Sequence, residues 1–445
     1  MKSIALHNLG CKVNGYEMDV MQQMLRERGY KIVPFDQKAD IYIINTCTVT
    51  NIADRKSRQM LHRARKRNPE AVVVAVGCYV QAGQEEVLKD AGVDLAVGNN
   101  KKKDLVSILE KYLACREGKE TGIKERKTLD GTTIIDIGNA KEYEGMRLKE
   151  AVGHTRAYIK IQDGCNQFCS YCIIPYARGR VRSREEEDIL GEVQGLAGQG
   201  YQEIVLTGIH ISSYGMDRGN SGLLTLIKRL HGIDGIRRIR LGSLEPRIVT
   251  EEFAAGLSGL PKVCPHFHLS LQSGCDSTLK RMNRHYTAGE YYEKVRLLRE
   301  KYDFPAITTD VIVGFPGETE EEFAETKAFL EKIKFYEMHV FKYSQRKGTR
   351  AAVMDHQLPE EIKNARSNIL LAMEREDSKE YRKHYIGKEA EVLFEEEKII
   401  EGQVFQVGHT KQYVKVAKQS SQPLGNRLVQ GTIIGFAADD ILRME

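Results

Sequence analysis

Three cysteines within eight residues, Cys165-Asn-Gln-Phe-Cys169-Ser-Tyr-Cys172, constrain this chain more than any other stretch. Thiolates are soft ligands that hold iron–sulfur clusters, and spacings this short let one loop wrap three corners of a cube. Three ligands leave the fourth iron open to something other than protein. Zinc is the alternative, but it usually takes four protein ligands and shorter C-x2-C knuckles; no fourth Cys or His sits nearby at such a spacing. An unrelated trio of buried thiols is the remaining reading. The loop directly follows Tyr158–Gly164, which reads as a strand.

Strands and helices alternate on both sides of that loop, which predicts an α/β chain. Before it, residues 3–8, 41–45 and 71–77 read as buried strands, with helical patterns at 16–29 and 53–67 between them. Near-continuous apolar strands separated by helices predict a parallel sheet covered on both faces. Cys11, Cys47 and Cys78 stand just past these three strands, and in an open parallel sheet ligands gather at the strands' carboxyl ends. A second three-thiolate cluster is the better reading; three small buried residues in tight turns are the bland one. The helix between Cys47 and Cys78 carries Arg55, Lys56, Arg58, Arg63, Arg65, Lys66 and Arg67 against Asp54 alone. It is either a solvated face or a phosphate-binding surface.

Residues 116–150, rich in Lys, Glu, Gly and Thr, read as a linker after a first domain at 1–115, with 133–137 fitting an added edge strand. Strand-like runs follow near 157–162, 203–208, 237–243, 266–271, 306–314 and 337–343, with helical stretches at 185–199, 222–231, 250–258, 276–302 and 319–334. Six strand–helix units fall short of the eight of a closed barrel and predict an open (β/α)6 barrel over 151–378. The cysteine loop and the turns at 207–210, 243–246, 272–274 and 314–317 then share one end; each turn is a candidate nucleoside contact and equally an ordinary cap. Arg178, Arg180, Arg182 and Arg184 form a one-signed run beside them. A helix at 360–384 leads into short alternating segments that predict a small all-β barrel over 379–445. Between 402 and 438 it holds Lys411, Lys415, Lys418 and Arg427 with no acid, and Tyr413 is either an RNA-stacking residue or an ordinary tyrosine.

A length of 445 residues suits about three domains. No apolar run approaches the ~20 residues of a membrane span, and the start lacks the apolar region of a signal peptide, so the expectation is a cytoplasmic protein with no membrane partner. Cysteines in a reducing compartment serve as ligands or catalysts before they serve as disulfides. Cys115, Cys264 and Cys275 read as ordinary thiols. The net charge of +5 does not by itself argue for nucleic acid.

Six motifs together resemble the methylthiotransferases of the radical S-adenosylmethionine (radical SAM) superfamily. They are Leu9–Asn14, Asn45–Val49, Gly77–Tyr79, the 164–184 run, Leu269–Gly274 and Asp310–Thr319. The cysteine loop is similar to the superfamily signature C-x3-C-x-aromatic-C, with Tyr171 in the aromatic slot. The resemblance implies an N-terminal cluster domain, a radical SAM barrel and a C-terminal TRAM domain, in the order read above. It implies two 4Fe-4S clusters: one on Cys165, Cys169 and Cys172, which cleaves S-adenosyl-L-methionine to a radical, and an auxiliary one on Cys11, Cys47 and Cys78, which carries the sulfur. Tyr171, Glu245 and Gln272 are the S-adenosylmethionine contacts suggested by motif position. The wording of the first and fourth motifs is most similar to the branch acting on N6-threonylcarbamoyladenosine 3′ of the tRNA anticodon. The implied partners are a tRNA anticodon loop and an external reductant such as a flavodoxin-type protein. Leu269-Ser270 stands where Leu-Pro is frequent.

Two near rivals keep the chemistry and change the target to N6-isopentenyladenosine or to an aspartate of a ribosomal protein. A rival of another class is a non-catalytic RNA-binding protein with structural or redox-sensing clusters. Zinc at the N-terminal cysteines is a third.

Overall fold

The computed structural model describes residues 2–118, 133–150, 155–219 and 222–445. Its first unit is a five-stranded sheet of β1 (Ser3–Asn8), β2 (Lys31–Val33), β3 (Ile41–Thr46), β4 (Val72–Gly77) and β5 (Leu95–Val97), parallel throughout and ordered β2-β1-β3-β4-β5. Strands β3 and β4 are buried along their whole length, as expected where helices cover both faces. The predicted helices run Lys12–Glu27 and Asn51–Arg67. The stretch 133–137 does not form an edge strand. It is held instead by Gly98 N–H donating to the Thr133 carbonyl and Gln81 donating to that of Ile135, and a 3-10 turn at Ile137–Asn139 follows.

The second unit places six parallel strands side by side: β6 (Arg156–Asp163), β8 (Glu203–Gly208), β9 (Arg238–Leu241), β10 (His266–His268), β11 (Ala306–Val313) and β12 (Glu337–Lys342). The two-residue β7 (Arg182–Ser183) adds an antiparallel edge to β6. Isolated bridges Ile239–Val263 and Leu244–Leu269 join β9 to β10, and no ladder joins β12 back to β6 among the described residues. The barrel is open, with the predicted six strands. Strand alternation sorts its side chains. Ile159, Leu206, Ile239, Phe267, Val311 and Met338 point outward into the core shared with the covering helices. Their neighbours Lys160, Thr207, Arg240, His268, Asp310 and His339 turn to the other face, so the lumen is polar. The stretch read as one helix at 276–302 is two, Asp276–Arg281 and Ala288–Lys301, with Asn283 between them at φ 57°.

After the helix Glu360–Lys383, strands β13 (Glu389–Ile400), β14 (Gln403–His409), β15 (Lys415–Lys418), β16 (Leu428–Ala438) and β17 (Ile441–Met444) close into a barrel in the order β13-β14-β15-β17-β16. It docks against the amino ends of the larger barrel's strands. Arg238 donates to the carbonyls of His409 and Glu391 at 2.9 and 2.8 Å, and Arg240 to that of Lys411 at 2.8 Å. Tyr413 is spent on this seam. Its ring stacks on His409 and His266, and Arg156 and Arg240 each lie 4.8 Å from its centroid, so it is not an RNA-stacking residue. No helix among the described residues is long and apolar enough to cross a membrane.

Candidate two-centre active site

Because β1, β3 and β4 are neighbours and parallel, their carboxyl ends bring Cys11, Cys47 and Cys78 to one edge of the first sheet. Cys11 caps the helix Lys12–Glu27, and Cys78 opens the short helix Cys78–Ala82. Ser57 clamps the Cys47 loop by accepting from its N–H and donating to its carbonyl. Gly10, at φ 104°, permits the approach: a Cβ there would lie 2.9 Å from the Cys47 Cβ and 3.0 Å from its sulfur. The three thiols sense one another. Burial raises the Cys11 thiol against the pull of Arg178, with Cys78 adding to the rise. Cys47 is pushed up to about 11, by burial first and then by Cys78 and Cys11.

The second trio lies on the loop after β6. Gly164 takes φ 71°, and a Cβ on it would fall 1.8 Å from the Arg180 carbonyl oxygen, so only glycine lets the loop turn back on itself. Cys165 N–H donates to Gly179 O at 3.0 Å, Ser170 N–H to Met282 O, and Ala351 N–H to Ser170 O, which fixes the loop at the barrel's carboxyl-terminal mouth. Cys165 is pushed up to about 11 and Cys172 to about 12, chiefly by burial, with Cys169 raising both. All six cysteines are free thiols. Three free thiols gathered at one sheet edge or on one loop are the donor set of a site whose cation makes thiolates favourable, and both trios fit a three-thiolate cluster.

The two centres share a wall. Arg178, at the end of the short helix Ile174–Arg178 that follows the cysteine loop, is fully buried and donates from Nε to Cys78 Sγ at 3.1 Å. Asn99 donates to the same sulfur at 3.5 Å and to Ala177 O at 2.6 Å. The helix Cys78–Ala82 packs on Ile174–Arg178. On the other flank Arg346, beyond β12, donates to Thr48 and Asn51 and pairs with Asp54. Beneath lies a buried ion network. Glu17 accepts from Lys102, Lys160 and Arg178, and Asp163 from Lys160 and Arg178.

The arginine run after the loop is therefore not one surface. Arg178, Arg182 and Arg184 are buried, the last paired with Glu192; Arg180 alone is exposed, its guanidinium 4.4 Å from the Phe168 ring centroid. Sequence reasoning missed Arg178 and Arg284 as sulfur partners. Arg284 donates to Cys169 Sγ at 3.2 Å and to the Tyr286 hydroxyl at 3.0 Å. Nothing local in the sequence flags either one; the pairing exists only after folding.

Of the three suggested cofactor contacts, Glu245 lines a cavity of about 430 Å³ with Gln167, His210, Ser212 and Arg247, and accepts from Arg247 Nε at 2.7 Å. Gln272 is buried at φ 74°, its backbone bridging to β11. Tyr171 packs with Met282 and Tyr343 and meets Phe315 edge-on. On the basic helix, Arg55, Lys56, Arg63 and Lys66 are exposed, while Arg65 pairs with Asp94 and Arg58 donates to Tyr79.

An open six-stranded parallel barrel with a three-cysteine loop after its first strand defines the radical SAM class of enzymes. Residues 159–330 match the family profile described as Radical SAM superfamily, and residues 3–98 match that described as Uncharacterized protein family UPF0004. A solved radical S-adenosylmethionine methyltransferase, TsrM from Kitasatospora setae, shares the fold at a TM-score of 0.58 and 18% identity, over 79% of this chain and 77% of that one. Among curated relatives, the threonylcarbamoyladenosine tRNA methylthiotransferase MtaB of Bacillus subtilis is 41% identical over 98% of this chain and 94% of its own. The protein of the same name from Aquifex aeolicus is 40% identical over 95% and 98%. The tRNA-2-methylthio-N(6)-dimethylallyladenosine synthase of Acetivibrio thermocellus is 36% identical over 88% and 81%. The chain belongs to the radical SAM methylthiotransferase family, whose cofactors are S-adenosylmethionine and two 4Fe-4S clusters.

Proposed function

We infer that this protein installs a methylthio group at carbon 2 of N6-threonylcarbamoyladenosine in the anticodon loop of tRNA. The observation that carries the reading is the wall common to the two cysteine trios, Arg178 of one loop bonded to Cys78 of the other, in a chain aligned end to end with two threonylcarbamoyladenosine enzymes. Cys165, Cys169 and Cys172 hold the cluster that binds S-adenosylmethionine; Cys11, Cys47 and Cys78 hold the auxiliary one. Bound, these groups supply a one-electron route to an aromatic C–H bond that acid–base side chains do not deprotonate at neutral pH.

The remaining residues orient the reactants. Arg178 and Arg284 fix one sulfur of each trio, Glu245 and Gln272 offer polar groups to the nucleoside at the mouth, and Tyr171 supports the loop from below. The target base leaves the stack to enter the barrel. The exposed basic face of Asn51–Arg67, beside the Cys47 loop, receives the RNA backbone. An external reductant supplies electrons, and the protein works in the cytoplasm. The units are 1–115 for the auxiliary cluster, 151–378 for the radical SAM barrel and 379–445 for the TRAM barrel, with 116–150 as linker.

The test is anaerobic turnover of the reconstituted protein on tRNAs carrying threonylcarbamoyladenosine or isopentenyladenosine, with nucleosides analysed by mass spectrometry. The methylthio product is expected on the first. Product only on the second refutes the assignment.

A further inference from the structure

Arg178 ends the short helix behind the barrel's cysteine loop, yet it gives its Nε–H to a sulfur of the other trio, Cys78, at 3.1 Å. Its aim is fixed from behind. Nη1 donates to Glu17 and Asp163, and Nη2 to Glu17 and to Asn14 Oδ1. With the rest of the fork occupied, Nε has one direction left. The side chain is fully buried, and a guanidinium is not deprotonated in proteins. A permanent positive charge therefore rests against one ligand sulfur of the auxiliary centre, out of reach of solvent screening.

The charges behind it do not cancel. Lys102, Lys160, Arg178 and Arg182 are all buried. Glu17 and Asp163 meet them, and the buried Glu144, which accepts from the Lys103 N–H, is the only further acid beside Lys102 and Lys103 among the described residues. The neighbouring Arg184 and Glu192 pair with each other. Arg182 reaches Asp163 only at 3.9 Å, and its Nε has no hydrogen-bond partner among the described residues. A buried surplus of positive charge is costly unless something anionic completes it, and thiolates at Cys11, Cys47 and Cys78 do so. Arg284 offers the contrast. It donates to Cys169 Sγ at 3.2 Å, and its other donors go to the Tyr286 hydroxyl and the Ser270 carbonyl, so its charge serves the other trio.

Resting on the two-cluster reading above, we propose that Arg178 is a positioning residue that sets the reduction potential of the auxiliary centre and favours its more reduced state. Hydrogen bonds to the ligand sulfurs and nearby net charge are among the levers that move an iron–sulfur potential, and this one side chain supplies both. Arg178 belongs to the segment that carries the S-adenosylmethionine centre, and Cys78 to the first sheet. The potential of the auxiliary centre is thereby tied to its being seated against the other unit: with the two apart, the bond is lost and the centre becomes harder to reduce.

The experiment is an anaerobic redox titration, followed by electron paramagnetic resonance, of the reconstituted full-length chain carrying Cys165→Ala, Cys169→Ala and Cys172→Ala, so that the auxiliary centre alone is read, without tRNA or S-adenosylmethionine. Adding Arg178→Met should lower the ratio of reduced to oxidised centre at a fixed potential about tenfold, a downward shift of about 59 mV for one electron, at unchanged iron content. Arg178→Lys keeps the charge and loses the directed Nε–H donor. It should move the midpoint the same way by less, and it decides the matter alone if Arg178→Met does not load iron. Arg284→Met should leave this midpoint where it was. A midpoint unmoved by the Arg178 substitutions overturns the inference and leaves the two-cluster reading intact, as does an equal shift from Arg284→Met. A parent chain that binds no iron once Cys165, Cys169 and Cys172 are replaced overturns the two-cluster reading itself.

Discussion

Removing the charge of Glu17 tests the joint between the two cluster-bearing units. Its carboxylate is fully buried and accepts from Lys160 at 2.7 Å, from Arg178 Nη2 at 3.0 Å and from Lys102. Burial alone would raise its pKa, but Arg178, Lys102 and Lys160 outweigh burial and hold it well below the usual carboxylate range. In Glu17→Gln, Lys160 and Arg178 retain Asp163 at 2.6 and 3.2 Å, whereas Lys102, with 0% of its side chain exposed, loses its ion-pair partner. Breaking a buried pair from one side costs about 3–5 kcal/mol, and the surviving Asp163 places this case at about 3 kcal/mol. At roughly 2–4 °C per kcal/mol, the melting temperature of the variant falls by about 6–12 °C on this scale, read by differential scanning fluorimetry. Lys102→Met in the Glu17→Gln background removes the stranded ammonium and returns part of the loss, a coupling visible in a double-mutant cycle. A variant that melts within about 2 °C of the wild type, or a second substitution that adds to the damage, refutes the reasoning.

Cys47→Ala is expected to keep reductive cleavage of S-adenosylmethionine to 5′-deoxyadenosine and to lose methylthio product, while Cys169→Ala loses both; repeated turnover by Cys47→Ala removes the auxiliary-cluster role. Gly164→Ala forces a methyl group to within 1.8 Å of the Arg180 carbonyl, so it should bind about half the wild-type iron, the share of one cluster in two, and full iron content contradicts the loop geometry. His210, in the cavity lined by Glu245 and Arg247, has its pKa lowered to about 4, by burial first and then by Arg284 and Arg247. Because the folded value lies below the unfolded one, its contribution to stability is complete above about 6.5 and disappears as the pH falls through about 4. His210→Gln should therefore flatten the stability profile between those limits, and an unchanged slope argues against the assignment.

Where a stretch's surroundings are uniform, its own residues declare it. Glu203–Gly208 was legible end to end because an apolar run between turn residues has one way to be buried in a parallel sheet. Lys31–Val33 and Leu95–Val97 were missed for the opposite reason: three residues carry no period, and they become strands only because β1 and β4 offer free edges. The join at Arg281–Ala288 escaped because the apolar spacing continues across it; what breaks the helix is a left-handed backbone at Asn283, whose side chain donates to Phe168 O at 3.0 Å and so belongs to the cysteine loop.

The same distinction separates what was and was not legible in the site. Cysteines at the ends of adjacent strands converge by topology, so their grouping follows from order along the chain. Charge behaves otherwise. Arg178, Arg180, Arg182 and Arg184 look alike in sequence, yet three of them are buried: Arg178 ends the helix Ile174–Arg178, Arg182 and Arg184, two apart in and beside β7, share one face, and Glu17, Asp163 and Glu192 neutralise them. A run of like charges is read as surface because burying it unpaired is prohibitive, and that reasoning fails wherever the counter-charges come from distant elements. Glu17 and Arg178 are 161 positions apart in the chain. The acid that makes Arg178 affordable in the interior lies in the domain of one cluster, and the arginine lies on the loop of the other. Docking of the two units is consequently a condition for burying this arginine, and the bond from Arg178 to Cys78 forms only in a molecule whose two cysteine sites already face each other.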